Sequence, residues 1–92
     1  MSHDLPVPRI VSEDSRAREV LRAWISGDRG AIVTLIPSFN DVAAWGILLV
    51  DIARHAARAH AKDGGAATEH LARIRSAIEA EWDSPADDGR EI

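Results

Sequence analysis

The most regular spacing of apolar positions begins at Val42. Val42, Trp45, Leu48, Leu49, Ile52, Ala56 and Ala59 recur at intervals of three and four residues, which places them on one face of a helix. Ile47 and Val50 flank that stripe, so the middle of the helix is expected to be buried nearly all round. Asp51, Arg54, His55, Arg58 and Lys62 form the polar stripe, with Asp51/His55 and Arg54/Arg58 four residues apart. The helix is expected over residues 40–62. Pro37 ends whatever precedes it, Ser38 and Asp41 have capping-box spacing, and Asn40 can cap by itself. Gly46 costs about 1 kcal/mol against alanine in a helix interior. Its place beside Trp45 predicts that another backbone packs closely there.

A second helix follows Asp63-Gly64-Gly65, starting between Ala66 and Thr68 and running to about Trp82. Its apolar stripe is Leu71, Ile74, Ile78 and Trp82, and Glu69/Arg73 and Arg75/Glu79 are favourable pairs four apart. A connection this short makes the two helices antiparallel neighbours. Ser84-Pro85 stops the second helix, and residues 84–92 are expected to be a disordered acidic tail.

The N-terminal half is less decided. Pro6 and Pro8 favour an extended segment over residues 1–12. Ser12-Glu13-Asp14 reads as a helix start, with acids suited to the positive end of a helix dipole. Ala17, Val20, Leu21, Trp24 and Ile25 fit a helical template, yet Leu21, Ala23 and Ile25 also lie on one face of a strand. Context favours the strand. Ser26-Gly27-Asp28-Arg29-Gly30 is a turn, and Ala31-Ile32-Val33-Thr34-Leu35-Ile36 is β-branched. A strand needs a neighbour for its backbone N–H and C=O groups, and residues 20–26 supply one. The expected fold is α+β: a short N-terminal helix, a two-stranded antiparallel β-hairpin, then an antiparallel helix pair packed on it (ββαα). The alternative is a mostly α chain with one strand. Residues 13–83 are expected to form one globular domain.

Composition changes this picture little. Of the 92 residues 46% are hydrophobic and 28% charged, which is ordinary for a globular protein. There are no cysteines, so disulfides, thiolate zinc sites and thiol catalysis are excluded. The net charge of −4 disfavours nucleic acid and anionic membranes as partners. Charge is unevenly placed: residues 52–78 carry five basic and two acidic side chains, while residues 79–92 carry six acidic and one basic. The N-terminus lacks a basic stretch followed by an apolar core, and the longest apolar run, residues 42–50, falls far short of the ~20 needed to span a bilayer. A cytoplasmic location is expected.

Three stretches taken together are distinctive: Glu19-Val20-Leu21-Arg22-Ala23-Trp24, then residues 44–55 (AWGILLVDIARH), then Ile74-Arg75 through Glu81-Trp82-Asp83-Ser84-Pro85. In that order and spacing the chain resembles a family of short proteobacterial proteins catalogued only as a domain of unknown function. The resemblance spans roughly residues 5–85. It implies a bacterial, cytosolic, stand-alone small domain, and it assigns no activity to any residue.

The sharpest chemical constellation is Asp51, Arg54, His55 and Arg58, within about 10 Å along one helix face at 1.5 Å rise per residue. An Asp one turn from a His can orient the ring for acid–base work or for holding an anion. The plainer reading is a solvated helix face. No nucleophile accompanies it, so no catalytic residue is assigned. His60 and His70 flank the Gly-Gly turn and can approach across it, but no His-x3-His pair exists, and neither a metal nor any other cofactor is expected. The glycines form no phosphate-cradling pattern. Trp24, Trp45 and Trp82, with Gly46, are either core filling or interface anchors, a role in which Trp is enriched. A lone hairpin is marginal and its edge is a pairing template. The expected function is therefore a non-enzymatic interaction or structural module acting as a homodimer. The alternative is a small-anion or metabolite binding protein using the Arg54/His55/Arg58 face.

Overall fold

The computed structural model describes residues 5–84. Five elements follow in order: α1 (Arg9–Ser12), β1 (Leu21–Ser26), β2 (Gly30–Leu35), α2 (Ala43–Ala61) and α3 (Ala67–Asp83). This is the α+β arrangement expected, with residues 21–26 in a strand and not in a helix. The chain divides into two compact units, one up to Ser38 and one from Phe39, and each is described by itself. The acidic tail lies outside the described residues.

In the first unit, α1 is a single turn entered from Pro8, whose extended ψ of 144° makes it the residue before the helix. The expected start at Ser12-Glu13-Asp14 is instead where α1 ends. Arg9 pairs with Glu13 across the turn at 2.9 Å, and the Asp14 carboxylate accepts the Arg16 backbone N–H at 2.9 Å, a local turn that does not propagate a helix.

β1 and β2 pair antiparallel from Leu21↔Leu35 to Ser26↔Gly30, and the Ile36 N–H donates to the Val20 carbonyl at 2.9 Å, extending the ladder by one bond. The turn is built around Ser26, whose hydroxyl oxygen accepts the Arg29 N–H at 3.2 Å while its O–H donates to Asp28 at 3.0 Å. Gly30 re-enters the ladder at φ 74°, a left-handed conformation that glycine takes without a Cβ penalty. Strand alternation then sorts the side chains. Leu21, Ala23 and Ile25 share a face with Ala31, Val33 and Leu35, so one face of the hairpin is wholly apolar. The other carries Arg22 opposite Thr34 and Trp24 opposite Ile32.

In the second unit, α2 and α3 pack together as the expected hairpin. The capping differs from expectation: the Ser38 hydroxyl donates to the Ile36 carbonyl, and the Asp41 carboxylate accepts the Ala43 N–H at 2.9 Å. Asp41, two residues before the first residue of α2, thus takes the role assigned to Ser38 or Asn40. At the other end Gly64 and Gly65 turn the chain at positive φ, and His70 on α3 closes the turn by its Nε2 contact of 2.7 Å with the Gly64 carbonyl. Of the two expected pairs on α3, Arg75–Glu79 forms at 3.6 Å.

The buried stripe of α2 is rotated from the one expected. Ala53 and Ala57, only 9% and 1% exposed, are the buried residues among those described. Alanines at these positions let α3 approach closely, with Leu71 and Ile74 half-buried on its side. Ile47 is 74% exposed, and Leu49, Val50 and Ile52 are exposed too, so the middle of α2 is not surrounded. The expectation followed the largest apolar side chains, whereas the contact selects the smallest.

Candidate functional site

Helical phase extends the Ala53–Ala57 seam toward the N-terminus of α2 through Val50, Leu49, Gly46 and Val42. On α3 the corresponding line runs Leu71, Ile74, Ile78, Trp82. The seam is closed beside the Gly-Gly turn and uncovered at its far end. There Val42, Leu49 and Val50 are exposed on α2, Ile78 is half exposed and Trp82 is 81% exposed on α3. Ile74, Ala77, Ile78, Glu81 and Trp82 line an open groove along α3.

The four interface candidates stand as follows. Trp24 lies on the mixed face of the hairpin, paired with Ile32 and about half exposed. Trp45 is half-buried at the start of α2, its ring 5.1 Å from Phe39 in an edge-to-face arrangement at 79°. Trp82 projects from the groove. The close backbone approach expected at Gly46 is not made among the described residues, where a Cβ added to Gly46 would meet nothing within 4 Å. Gly46 sits on the seam, so this empty space is a second sign that the far end is uncovered.

Asp51, Arg54, His55 and Arg58 lie along the exposed face of α2. Their one mutual contact is 2.8 Å between His55 Nδ1 and the Asp51 carbonyl oxygen. A carbonyl only accepts, so Nδ1 carries the proton and Nε2 is left to face outward. The orienting partner is thus the backbone of Asp51 and not its carboxylate. No ion pair joins these four residues. Elsewhere arginines do find carboxylates. Arg22 donates to Glu19 at 2.7 Å, and that hydrogen bond, reinforced by the guanidinium charge, holds the Glu19 carboxyl below the usual glutamate range.

His60 and His70 do approach across the turn, with ring centroids 6.1 Å apart. Among the described residues no group of three or more His, Asp or Glu side chains is disposed to hold a metal. No helix among them is long and apolar enough to cross a membrane.

A family profile for a domain of unknown function, DUF5076, matches residues 4–86. The chain belongs to this family. Among solved structures, this DUF5076 chain is similar to a protein of the photosynthetic bacterium Rhodopseudomonas palustrus that is provisionally called a pyruvate dehydrogenase. The two share 39% identity with a TM-score of 0.77, over 100% of this chain and 95% of that one. A search of curated proteins gives no match. The DUF5076 profile agrees with the resemblance read from the three sequence stretches, and it too assigns no reaction to any residue.

Proposed function

We propose that this chain is a non-enzymatic interaction module of the bacterial cytoplasm and that it acts as a homodimer. The observation that carries the reading is the mismatch between apolar residues and burial. Two alanines are buried among the described residues, while the apolar hairpin face and the far end of the α2–α3 seam are exposed. Fully burying one Leu, Ile, Val or Phe side chain is worth about 1.5–3 kcal/mol. A 92-residue chain without disulfides has few other sources of stability. Exposed apolar surface of this kind on each unit suits an interaction site.

The polar groups support the non-enzymatic part. Catalysis needs preorganised donors in a water-excluded site. The Asp51–Arg58 face is solvent-exposed, its histidine is tied to backbone, and no serine or other nucleophile is hydrogen-bonded to it. The test is the mass of the intact chain in solution by light scattering after size-exclusion chromatography. A dimer is expected, and a strict monomer at micromolar concentration refutes the reading.

One observation favours a second role for the same molecule. Among the described residues Arg54 and Arg58 have no carboxylate partner, and the outward Nε2 of His55 lies between them along the helix. The two guanidiniums, on consecutive turns, suit a small carboxylate or phosphate. Thermal-shift measurements with inorganic phosphate and simple carboxylates test this. A stabilisation lost in Arg54→Ala and Arg58→Ala supports it, and no shift, or one unaffected by those changes, refutes it.

A further inference from the structure

We infer that the homodimer is joined through β2, which pairs antiparallel with β2 of a second copy about a two-fold axis at Val33. The inference deepens the homodimer reading and rests on it. It starts from the backbone. The Ile36 N–H donates to the Val20 carbonyl, so Val20 and Ile36 are a hydrogen-bonded pair of the ladder, and such pairs alternate along an antiparallel register. Thr34, Ile32 and Gly30 therefore direct their N–H and C=O groups at β1. Ala31, Val33 and Leu35 direct theirs away from it. Among the described residues these outward groups make no hydrogen bond, and all of β2 is exposed. A row of free donors and acceptors at strand spacing is matched along its length by another strand.

The two edges of the hairpin differ in charge. β1 carries Arg22, with Arg18 and Glu19 just before it, and charged side chains on an edge oppose edge-to-edge pairing. β2 carries none. Gly30 to Ile36 is uncharged and rich in β-branched side chains, bounded by Arg29 and Pro37, which is the composition of a strand that pairs with its own kind. Its free groups are also self-complementary, as two-fold symmetry requires. Val33 is their midpoint. An axis there sets Val33 against Val33 of the partner subunit and Ala31 against Leu35 of the partner subunit, small against large, and pairs every outward group of both strands. Residues directly opposite point to the same side of a sheet, so the apolar faces of the two hairpins join into one surface. Arg29 falls opposite Pro37 of the partner subunit, whereas a parallel pairing in register would oppose the two Arg29 side chains. The product is a four-stranded sheet, in which a hairpin that is marginal alone gains neighbours. Its outer edges are the charged β1 strands, so growth stops at two copies.

Hydrogen exchange followed by NMR on the full, unmodified chain reads the pairing directly, with sedimentation equilibrium giving the dimer constant. At concentrations where the chain is dimeric, the N–H groups of Ala31, Val33 and Leu35 are expected to exchange as slowly as those of Ile32 and Thr34, and to speed up on dilution. Those of Ala23 and Ile25, on the outer edge of β1, stay fast throughout. Val33→Pro removes an N–H that β1 does not use and is expected to weaken the dimer by about tenfold or more, with the helical circular dichroism kept. The absence of native cysteine allows a further readout. Val33→Cys sets two thiols beside the axis, at the Cα separation of about 5.5 Å of a hydrogen-bonded pair, and is expected to form a disulfide-linked dimer under mild oxidation. Ala23→Cys, about 14 Å from its copy at three strand spacings, is not. If the parent chain dimerises but the N–H groups of Ala31, Val33 and Leu35 exchange as fast as those of Ala23 and Ile25, the β2 geometry is overturned and the homodimer reading stands. If the parent chain is monomeric throughout, both are overturned, and the free edge is left to a strand of another protein.

Discussion

Replacing Trp82 by alanine separates a residue that supports the fold from one that supports association. A tryptophan side chain can bury about 200 Å². Trp82 is 81% exposed in the isolated chain, so about 160 Å² of that area remains for a partner and about 40 Å² serves the chain itself. At ~25 cal/mol per Å², the intramolecular share is about 1 kcal/mol and the share available to a partner about 4 kcal/mol for each copy. Association does not return the whole of such area, because ordering and lost rotational freedom oppose it. A tryptophan that acts as a hot spot nonetheless costs about 2 kcal/mol or more on truncation. A symmetric dimer loses two, about 4 kcal/mol together, which raises Kd about a thousandfold. Trp82→Ala is therefore expected to become monomeric at concentrations where the parent chain is dimeric. Its helical circular dichroism should remain, and urea unfolding should show at most a small loss for the separated chain. Sedimentation equilibrium over a dilution series reads the first effect. A Kd within tenfold of the parent value would refute the argument that the groove around Trp82 belongs to the associating surface.

Ala57→Leu adds bulk at the tightest point of the α2–α3 contact and is expected to destabilise by about 1–3 kcal/mol in urea titration, while the same change at exposed Ala59 should be close to neutral. Gly65→Ala combines a φ of 80° with a Cβ that would lie 2.9 Å from His70 Nε2, so a loss of about 1–3 kcal/mol is expected in the thermal transition, with the His70 ring displaced from the Gly64 carbonyl. Gly46→Ala meets no obstacle within the chain and is expected to stabilise the helix of the separated chain by about 1 kcal/mol, as read by the same titration. The Glu19 carboxyl, lowered by Arg22, should titrate by NMR below an ordinary glutamate and return toward it in Arg22→Gln. A depressed carboxylate contributes stability above its unfolded pKa and loses it as pH falls through its folded one, so any Arg22-dependent stability should fade on the acid side of the glutamate range.

The sequence made the order of elements legible because each element has its own punctuation. Pro37 and the Gly64-Gly65 pair bound α2 in both readings, and the Gly27–Gly30 turn decided that residues 21–26 pair as a strand although their spacing fits a helix as well. The rotation of the α2 face was not legible. Stripe reading weights Leu, Ile and Trp, whereas two helices joined by a short turn come closest where side chains are smallest, at Ala53 and Ala57. The one signal that pointed there was the run of alanines between residues 53 and 61. Capping was misplaced for a similar local reason, since the Ser38 hydroxyl is engaged by the Ile36 carbonyl and leaves Asp41 to take the first free N–H. Spacing picked out Trp82 and the α3 stripe, which line the open groove, while the close contact expected at Gly46 is not made among the described residues. Whether a stripe is covered depends on what the helix meets, and periodicity carries no information about that.

The central claim, that exposed apolar surface is covered by a second copy of this chain, is tested most directly by the solution mass of the unmodified protein. Light scattering across a dilution series in the micromolar range is expected to give about 20 kDa, twice the 10.0 kDa of one chain, with dissociation only on dilution. A constant 10.0 kDa throughout that range, for a chain that still unfolds cooperatively, would contradict it.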